Sequence, residues 1–150
     1  MIQKMKGTYD LIEDIPYIQT IEKKIQAVSR VFQFNEIRTP HFEASDLFHR
    51  SVGETTDIVS KETYDFTDRG NRLNTLRPEG TAGVVRAYIE NKLYADKVVP
   101  QKYYYVGSMF RYERPQKGRF REFLQFGGEA FGSASPEMDA EVIAYAYTLL

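Results

Sequence analysis

Five cations and two anions fall within the twelve residues from Arg111 to Glu122, in a chain whose formal net charge is only -1. Apolar runs flank them, Tyr103 to Met109 on one side and Phe123 to Phe126 on the other. The pattern reads as strand, long basic turn, strand. Planar guanidinium groups on such a turn suit phosphate oxygens, because the fork engages two of them at once. Residue types alone leave two readings open: a phosphate-binding hairpin, and a charged hairpin turned to water.

Two further groups carry chemistry. In Thr75-Leu76-Arg77-Pro78-Glu79-Gly80-Thr81 a strand ends near Pro78 and a helix begins near Thr81. Glu79 and Thr81 then sit at a strand-to-helix turn, where a carboxylate and a hydroxyl suit an ammonium ion. Ordinary capping, with Thr81 as N-cap and Glu79 exposed, fits the same residues. Downstream, strand alternation puts Phe123, Gln125, Gly127 and Glu129 on one face, an aromatic platform, an amide and a carboxylate in a row. Gly127 and Gly128 are expected to leave room for a ligand there. A sheet face turned to solvent has the same period.

Composition narrows the classes. The chain has 150 residues, 42% hydrophobic and 27% charged, as in a globular domain. That length buries roughly 70% of the unfolded surface. No apolar run approaches the roughly 18 residues of a membrane helix, and Met1 to Gly7 lacks the apolar core of a signal peptide. With no cysteine, disulfides and thiolate metal sites are excluded, which fits a cytoplasmic protein. His41 and His49 are spaced unlike metal ligands, so no metal site is expected. Near-neutral charge argues against bulk electrostatic binding of nucleic acid but leaves room for a local basic patch.

The elements that must position these groups follow from pattern. Pro16 opens a helix whose apolar stripe is Ile18, Ile21, Ile25, Val28 and Phe32. Phe34 to Pro40 reads as extended, and residues 44–61 as a short helix and polar loop. Glu62 to Phe66 and Leu73 to Arg77 flank a hairpin turn at Asp68-Arg69-Gly70-Asn71. Thr81 to Ala95 reads as one helix. Tyr103 to Arg111 and Phe123 to Phe131 are the strands around the basic turn. Ser135 and Pro136 start a final helix, continued by Ala140 to Leu150. The expected class is α+β, an antiparallel sheet with flanking helices. Because the chain stops inside that helix, the domain is expected to be cut rather than finished.

Phe110-Arg111-Tyr112-Glu113, the loop Arg114 to Gly118, and Arg119 followed at the fourth position by Phe123 resemble motif 2 of the class II aminoacyl-tRNA synthetases. Pro16 to Pro40 resembles their motif 1, a helix and strand that build a dimer interface and end at proline. Leu76-Arg77-Pro78-Glu79-Gly80-Thr81 is similar to a segment of the histidyl-tRNA synthetases. So are Lys6 to Asp10, Val52 to Val59 and Arg114 to Arg119. The resemblance runs from about residue 6 to the end.

It implies roles. Arg111 would be catalytic and would bind the ATP α-phosphate. Glu113 would hold the adenine amino group, Arg119 the γ-phosphate, and Phe123 would stack on adenine. Glu79, Thr81 and Gln125 would hold the histidine α-amino group, and Glu129 its imidazole. Arg114, Gln116 and Arg121 would face tRNA(His). ATP and Mg²⁺ are implied, with histidine as substrate and a homodimer through motif 1. Leu124 departs from the family pattern but points away from the cleft by alternation. Residues 1–150 would be the N-terminal portion of a catalytic domain, with motif 3 and an anticodon-binding domain absent and little activity alone. Two other functions are kept open: the non-catalytic synthetase-like regulatory subunit of ATP phosphoribosyltransferase, and a bare dimerisation module resting on the motif 1 segment alone.

Overall fold

The computed structural model describes residues 1–51, 62–96 and 98–150. The Val52 to Val59 segment and the polar loop expected before residue 61 lie outside them. The chain divides into two units, residues 1–10, 39–87 and 107–125, and residues 11–38, 88–106 and 126–150.

The first unit holds β2 (Phe42–Ala44), α2 (Ser45–Ser51), β3 (Tyr64–Thr67) and β4 (Leu73–Leu76). The short β1 (Asn35–Glu36) precedes them in the chain and belongs to the second unit. β4 is the centre of an antiparallel three-stranded sheet, with Phe42 and Tyr64 both opposite Leu76. The β3–β4 turn falls where expected. Asp68 closes it by accepting from the backbone N–H of Gly70 at 2.8 Å and of Arg72 at 3.0 Å. Those bonds, the Arg72 one foremost, hold its carboxyl below the usual aspartate value. Beneath the sheet the Thr75 hydroxyl lies 2.7 Å from Ser45 Oγ and 2.5 Å from Asp65 Oδ1, so this buried polar group is satisfied.

The second unit is built on α1 (Ile15–Val31), β1 and the final helix α4 (Pro136–Leu149). Pro16 stands in the first turn of α1, where a missing N–H costs nothing. The helix ends in a paired cap: Gln33 takes φ +61, its N–H donates to Arg30, and the Phe34 N–H donates to Ser29 at 2.8 Å. This cap turns Phe34 into a core with Ile25, Tyr104 and Tyr145. The Phe34 and Tyr145 rings stack at 4.3 Å. Of the expected α1 stripe, Ile25 is buried and Ile18, Val28 and Phe32 are half-buried, whereas Ile21 is 58% exposed. Ser135 caps α4 as expected, with Pro136 in its first turn.

The two long strands, β5 (Gln101–Phe110) and β6 (Glu122–Phe131), are neighbours in a second sheet ordered β1-β5-β6. Residues 111–121 are too few for the crossover that a parallel pair needs, so they close a hairpin. β1 adds a parallel pairing to the edge, Asn35 opposite Tyr103. The class is α+β as expected. One boundary differs: α3 spans Thr81–Glu90, and Leu93–Ala95 forms a separate 3-10 turn. Lys92 at φ +54 makes the break, with backbone bonds Lys92 to Ile89 and Ala95 to Lys92.

Tyr145 has a pH consequence. Burial raises its phenol above the usual 10.0, against the hydrogen bond with Ser29 at 2.5 Å, which lowers it. A raised folded value means the contribution is complete below the unfolded value of about 10 and is lost as pH climbs through the folded one. Urea unfolding should therefore show falling stability above about pH 10, and Tyr145→Phe should flatten part of that slope. Tyr103 and Tyr104, also raised chiefly by burial, keep the remainder. At neutral pH the same variant should cost about 1 kcal/mol, the worth of one hydrogen bond.

Candidate active site

The turn end of the β5–β6 hairpin and the β4–α3 junction both lie in the first unit, and hydrogen bonds tie them together. The Phe110 N–H donates to the Arg77 carbonyl at 2.9 Å. Arg111 Nε donates to the Pro78 carbonyl at 2.9 Å. The Arg111 guanidinium lies 5.2 Å from the centroid of the Phe123 ring, in cation–π range. Arg111, Phe123 and the Pro78–Glu79 turn, far apart in sequence, are thus one cluster.

Glu113 is buried at the mouth of the hairpin. Arg119 Nε approaches its Oε2 to 2.7 Å and Arg111 Nη1 its Oε1 to 3.9 Å. The shorter approach lacks the alignment of a hydrogen bond, so Oε2 has an ion-pair partner but no hydrogen-bond donor among the described residues. On β6, the buried Gln125 Oε1 also lacks a donor among the described residues. Buried acceptors without a donor are uncommon, since such atoms cost free energy when unpaired.

Glu79 changes the capping reading of this turn. It is itself the cap of α3, accepting from the Thr81 N–H at 2.5 Å and the Ala82 N–H at 2.9 Å. Thr81 is the first helical residue, not the N-cap, and is exposed. Each Glu79 oxygen keeps a second lone pair, so a fixed carboxylate still suits an ammonium ion. Arg114 and Gln116 are exposed on the loop. Gln116 and Arg119 form a backbone bridge across the loop tip, with Gly118 at φ +77. Arg121, expected on a tRNA-facing rim, is instead engaged by neighbours: it donates to the Glu113 carbonyl at 3.2 Å and lies over the Tyr112 ring at 4.3 Å.

In the second unit, Glu129 stands further along β6 and is half-buried. The room expected at the glycines is filled. A Cβ on Gly127 would collide with the Tyr105 phenol, and one on Gly128 would meet Tyr145 and Phe34 at 3.0 and 3.3 Å. These glycines admit the chain's own rings, not a ligand. A cleft of about 810 Å³ between the end of α1 and the start of β5 includes none of the expected site residues.

Sequence reading missed Arg77. It is 7% exposed, and its guanidinium donates to the carbonyls of Ser108 at 2.9 Å and Thr39 at 3.0 Å. The signal was alternation, which puts Arg77 on the buried side with Thr75.

Comparison with known proteins places this arrangement. A family model described as histidyl-tRNA synthetase matches residues 10–150. The histidine–tRNA ligase of Lactiplantibacillus plantarum is 59% identical over 150 residues, covering 99% of this chain and 35% of that protein. The crystal structure of apo S. aureus histidyl-tRNA synthetase superposes with TM-score 0.85 at 43% identity, covering 99% of this chain and 34% of that one. An ATP phosphoribosyltransferase regulatory subunit/histidyl-tRNA synthetase from Bacillus halodurans C gives TM-score 0.83 at 25% identity, over 99% of this chain and 37% of that one. The fold matches part of a class II aminoacyl-tRNA synthetase catalytic core. Within that class, the chain belongs to the histidyl-tRNA synthetase family. It spans about a third of the length of the curated relatives it matches. Among the described residues no helix is long and apolar enough to cross a membrane.

Proposed function

We propose that the protein carrying this chain activates histidine with ATP and transfers it to tRNA(His), and that residues 1–150 supply the N-terminal portion of its catalytic domain. The observation that carries the reading is the buried Glu113 carboxylate beside Arg111, its Oε2 met by the exposed Arg119 at 2.7 Å without an aligned hydrogen bond. An adenine amino group would satisfy that oxygen, and the histidine ammonium would satisfy the buried Gln125 Oε1 on β6. Glu79 and Thr81 complete the ammonium site, Phe123 stacks on adenine, and Arg119 leaves Glu113 for the γ-phosphate. Glu129 accepts from the imidazole, and Arg114 and Gln116 face the tRNA acceptor end.

In the reaction, the histidine carboxylate attacks the α-phosphorus in line and pyrophosphate leaves. That carboxylate is already ionised at neutral pH, so no general base is required. Arg111 stabilises the charge that grows on the phosphate oxygens. Among the described residues no three His, Cys, Asp or Glu side chains gather as a metal site. Mg²⁺ would therefore arrive on the ATP phosphates, its usual mode, rather than in a protein cage. A cytoplasmic homodimer joined through α1 and β1 completes the reading.

Histidine-dependent exchange of pyrophosphate into ATP by the full-length protein tests it. Gln125→Met should raise KM for histidine by about tenfold, the scale of one hydrogen bond to a charged group, and leave KM for ATP unchanged. A regulatory subunit that keeps only the fold would show no exchange. The retained basic set Arg111, Arg114, Lys117 and Arg119, idle in such a subunit, favours the synthetase.

A further inference from the structure

The first turn of the chain grips the base of the basic loop. The Gly7 carbonyl accepts the backbone N–H of Arg121 at 2.7 Å. The Lys6 carbonyl lies 3.4 Å from Arg121 Nη1. The Tyr9 ring meets that of Phe120 at 4.6 Å. Thr8 closes the turn on itself, both its N–H and its hydroxyl donating to the Met5 carbonyl. Gly7 is at φ +87, a conformation that side chains rarely adopt, and a Cβ there would come within 3.0 Å of Arg121 Cγ, Arg121 Cδ and Pro115 Cγ.

Arg121 passes this grip to the site. Its carbonyl accepts the Arg111 N–H at 2.9 Å, and its Nε donates to the Glu113 carbonyl at 3.2 Å. The Tyr112 ring under its guanidinium fixes the plane of the fork. One residue thus bonds both backbone positions that aim Arg111 and Glu113, and it is held from the other side by Lys6 and Gly7.

We infer that the turn Lys6 to Tyr9 is a brace, and that Gly7 and Arg121 are positioning residues for ATP rather than contacts for tRNA. The inference rests on the ATP reading of Arg111 and Glu113 given above. The brace orders the hairpin base before ligand arrives. A misplacement of about 1 Å at a reacting group is costly, so loosening the brace weakens ATP use without removing any ATP contact.

The test uses the full-length protein, with Gly7→Ala, Arg121→Gln and the double variant. Each single change should raise KM for ATP in histidine-dependent exchange about tenfold with kcat within about twofold. KM for tRNA in aminoacylation should stay unchanged, and trypsin should cut the loop at Lys117 or Arg119 faster. The double variant should be no worse than the poorer single one, because both changes cut one link. If Gly7→Ala fails to fold, Tyr9→Leu, which removes only the ring contact with Phe120, should show the same ATP-side effect. A raised KM for tRNA with normal ATP use in Arg121→Gln overturns the proposal. So do additive effects, an unchanged cleavage rate, or faster cleavage with an unchanged KM for ATP. Intact exchange in Arg111→Ala would indict the ATP reading instead, and loop cleavage in Gly7→Ala would still decide whether the brace exists.

Discussion

Arg111→Ala in the full-length protein is expected to lower histidine-dependent pyrophosphate exchange by roughly a hundredfold or more, the cost of one preorganised donor to a developing oxyanion. The geometry gives the reason. Its Nε is held by the Pro78 carbonyl, and its guanidinium is flanked by the Phe123 ring and Glu113. A cation fixed before the substrate binds spends nothing on reorganisation as charge moves onto the phosphate. A structural role alone predicts a loss of stability instead, since the charge-assisted bond to Pro78 is worth about 1.5–3 kcal/mol of folding free energy. A hundredfold loss of exchange with the urea midpoint little changed therefore separates the two. Arg111→Lys should fall between parent and alanine, since the charge remains but the fork does not. Exchange at the parental rate in Arg111→Ala would remove Arg111 from the chemistry.

What was legible in the sequence was what local rules dictate. The β3–β4 turn was readable because Asp68, Gly70 and Asn71 each suit a turn on their own. The α4 start was readable from Ser135 and Pro136. The hairpin and its Arg111–Phe123 cluster were readable because alternation and residue order both marked them. The end of α1 was readable too, because the apolar stripe stops at Phe32 and extended residues begin at Phe34. The break after α3 was not: Lys92 takes φ +54, where glycine or asparagine would have been expected. Nothing in the type of Lys92 signals this.

At the site, what residue types do not show has one cause. Glu79 caps α3, Gly127 and Gly128 hold rings rather than open space, and Arg121 is engaged by its neighbours. Each is decided by a partner distant in sequence or by a backbone N–H that residue types do not show. Gly127 makes room for Tyr105, and Gly128 for Tyr145 and Phe34. Arg121 is claimed by the turn at Lys6 and Gly7. A chemically capable side chain is available to a ligand only after the chain's own demands on it are met, and that order is a property of the fold.

Arg77 is the largest case of a demand that the fold makes for itself, and Arg77→Leu should lower the unfolding free energy by on the order of 3–5 kcal/mol. The guanidinium is buried, and its bonds to the carbonyls of Ser108 and Thr39 and to Thr39 Oγ1 join three segments of the first unit. Leucine fills part of the volume but supplies no donor, so those carbonyls are left buried and unpaired. The guanidinium also occupies the space over Gly107, where any Cβ would collide with it. The urea midpoint should fall without a change in slope, because the surface exposed on unfolding is nearly the same. Arg77→Lys should recover less than half of the loss, since one ammonium cannot reach both carbonyls in the plane of the fork. The backbone of Arg77 remains bonded to His41 and Phe110 in either variant. The neighbouring Pro78 carbonyl therefore stays near Arg111, and pyrophosphate exchange measured below the melting transition should fall far less than in Arg111→Ala. A midpoint within experimental error of the parent would show that the buried guanidinium contributes nothing net. A fall in exchange as deep as that of Arg111→Ala would instead place Arg77 in the chemistry.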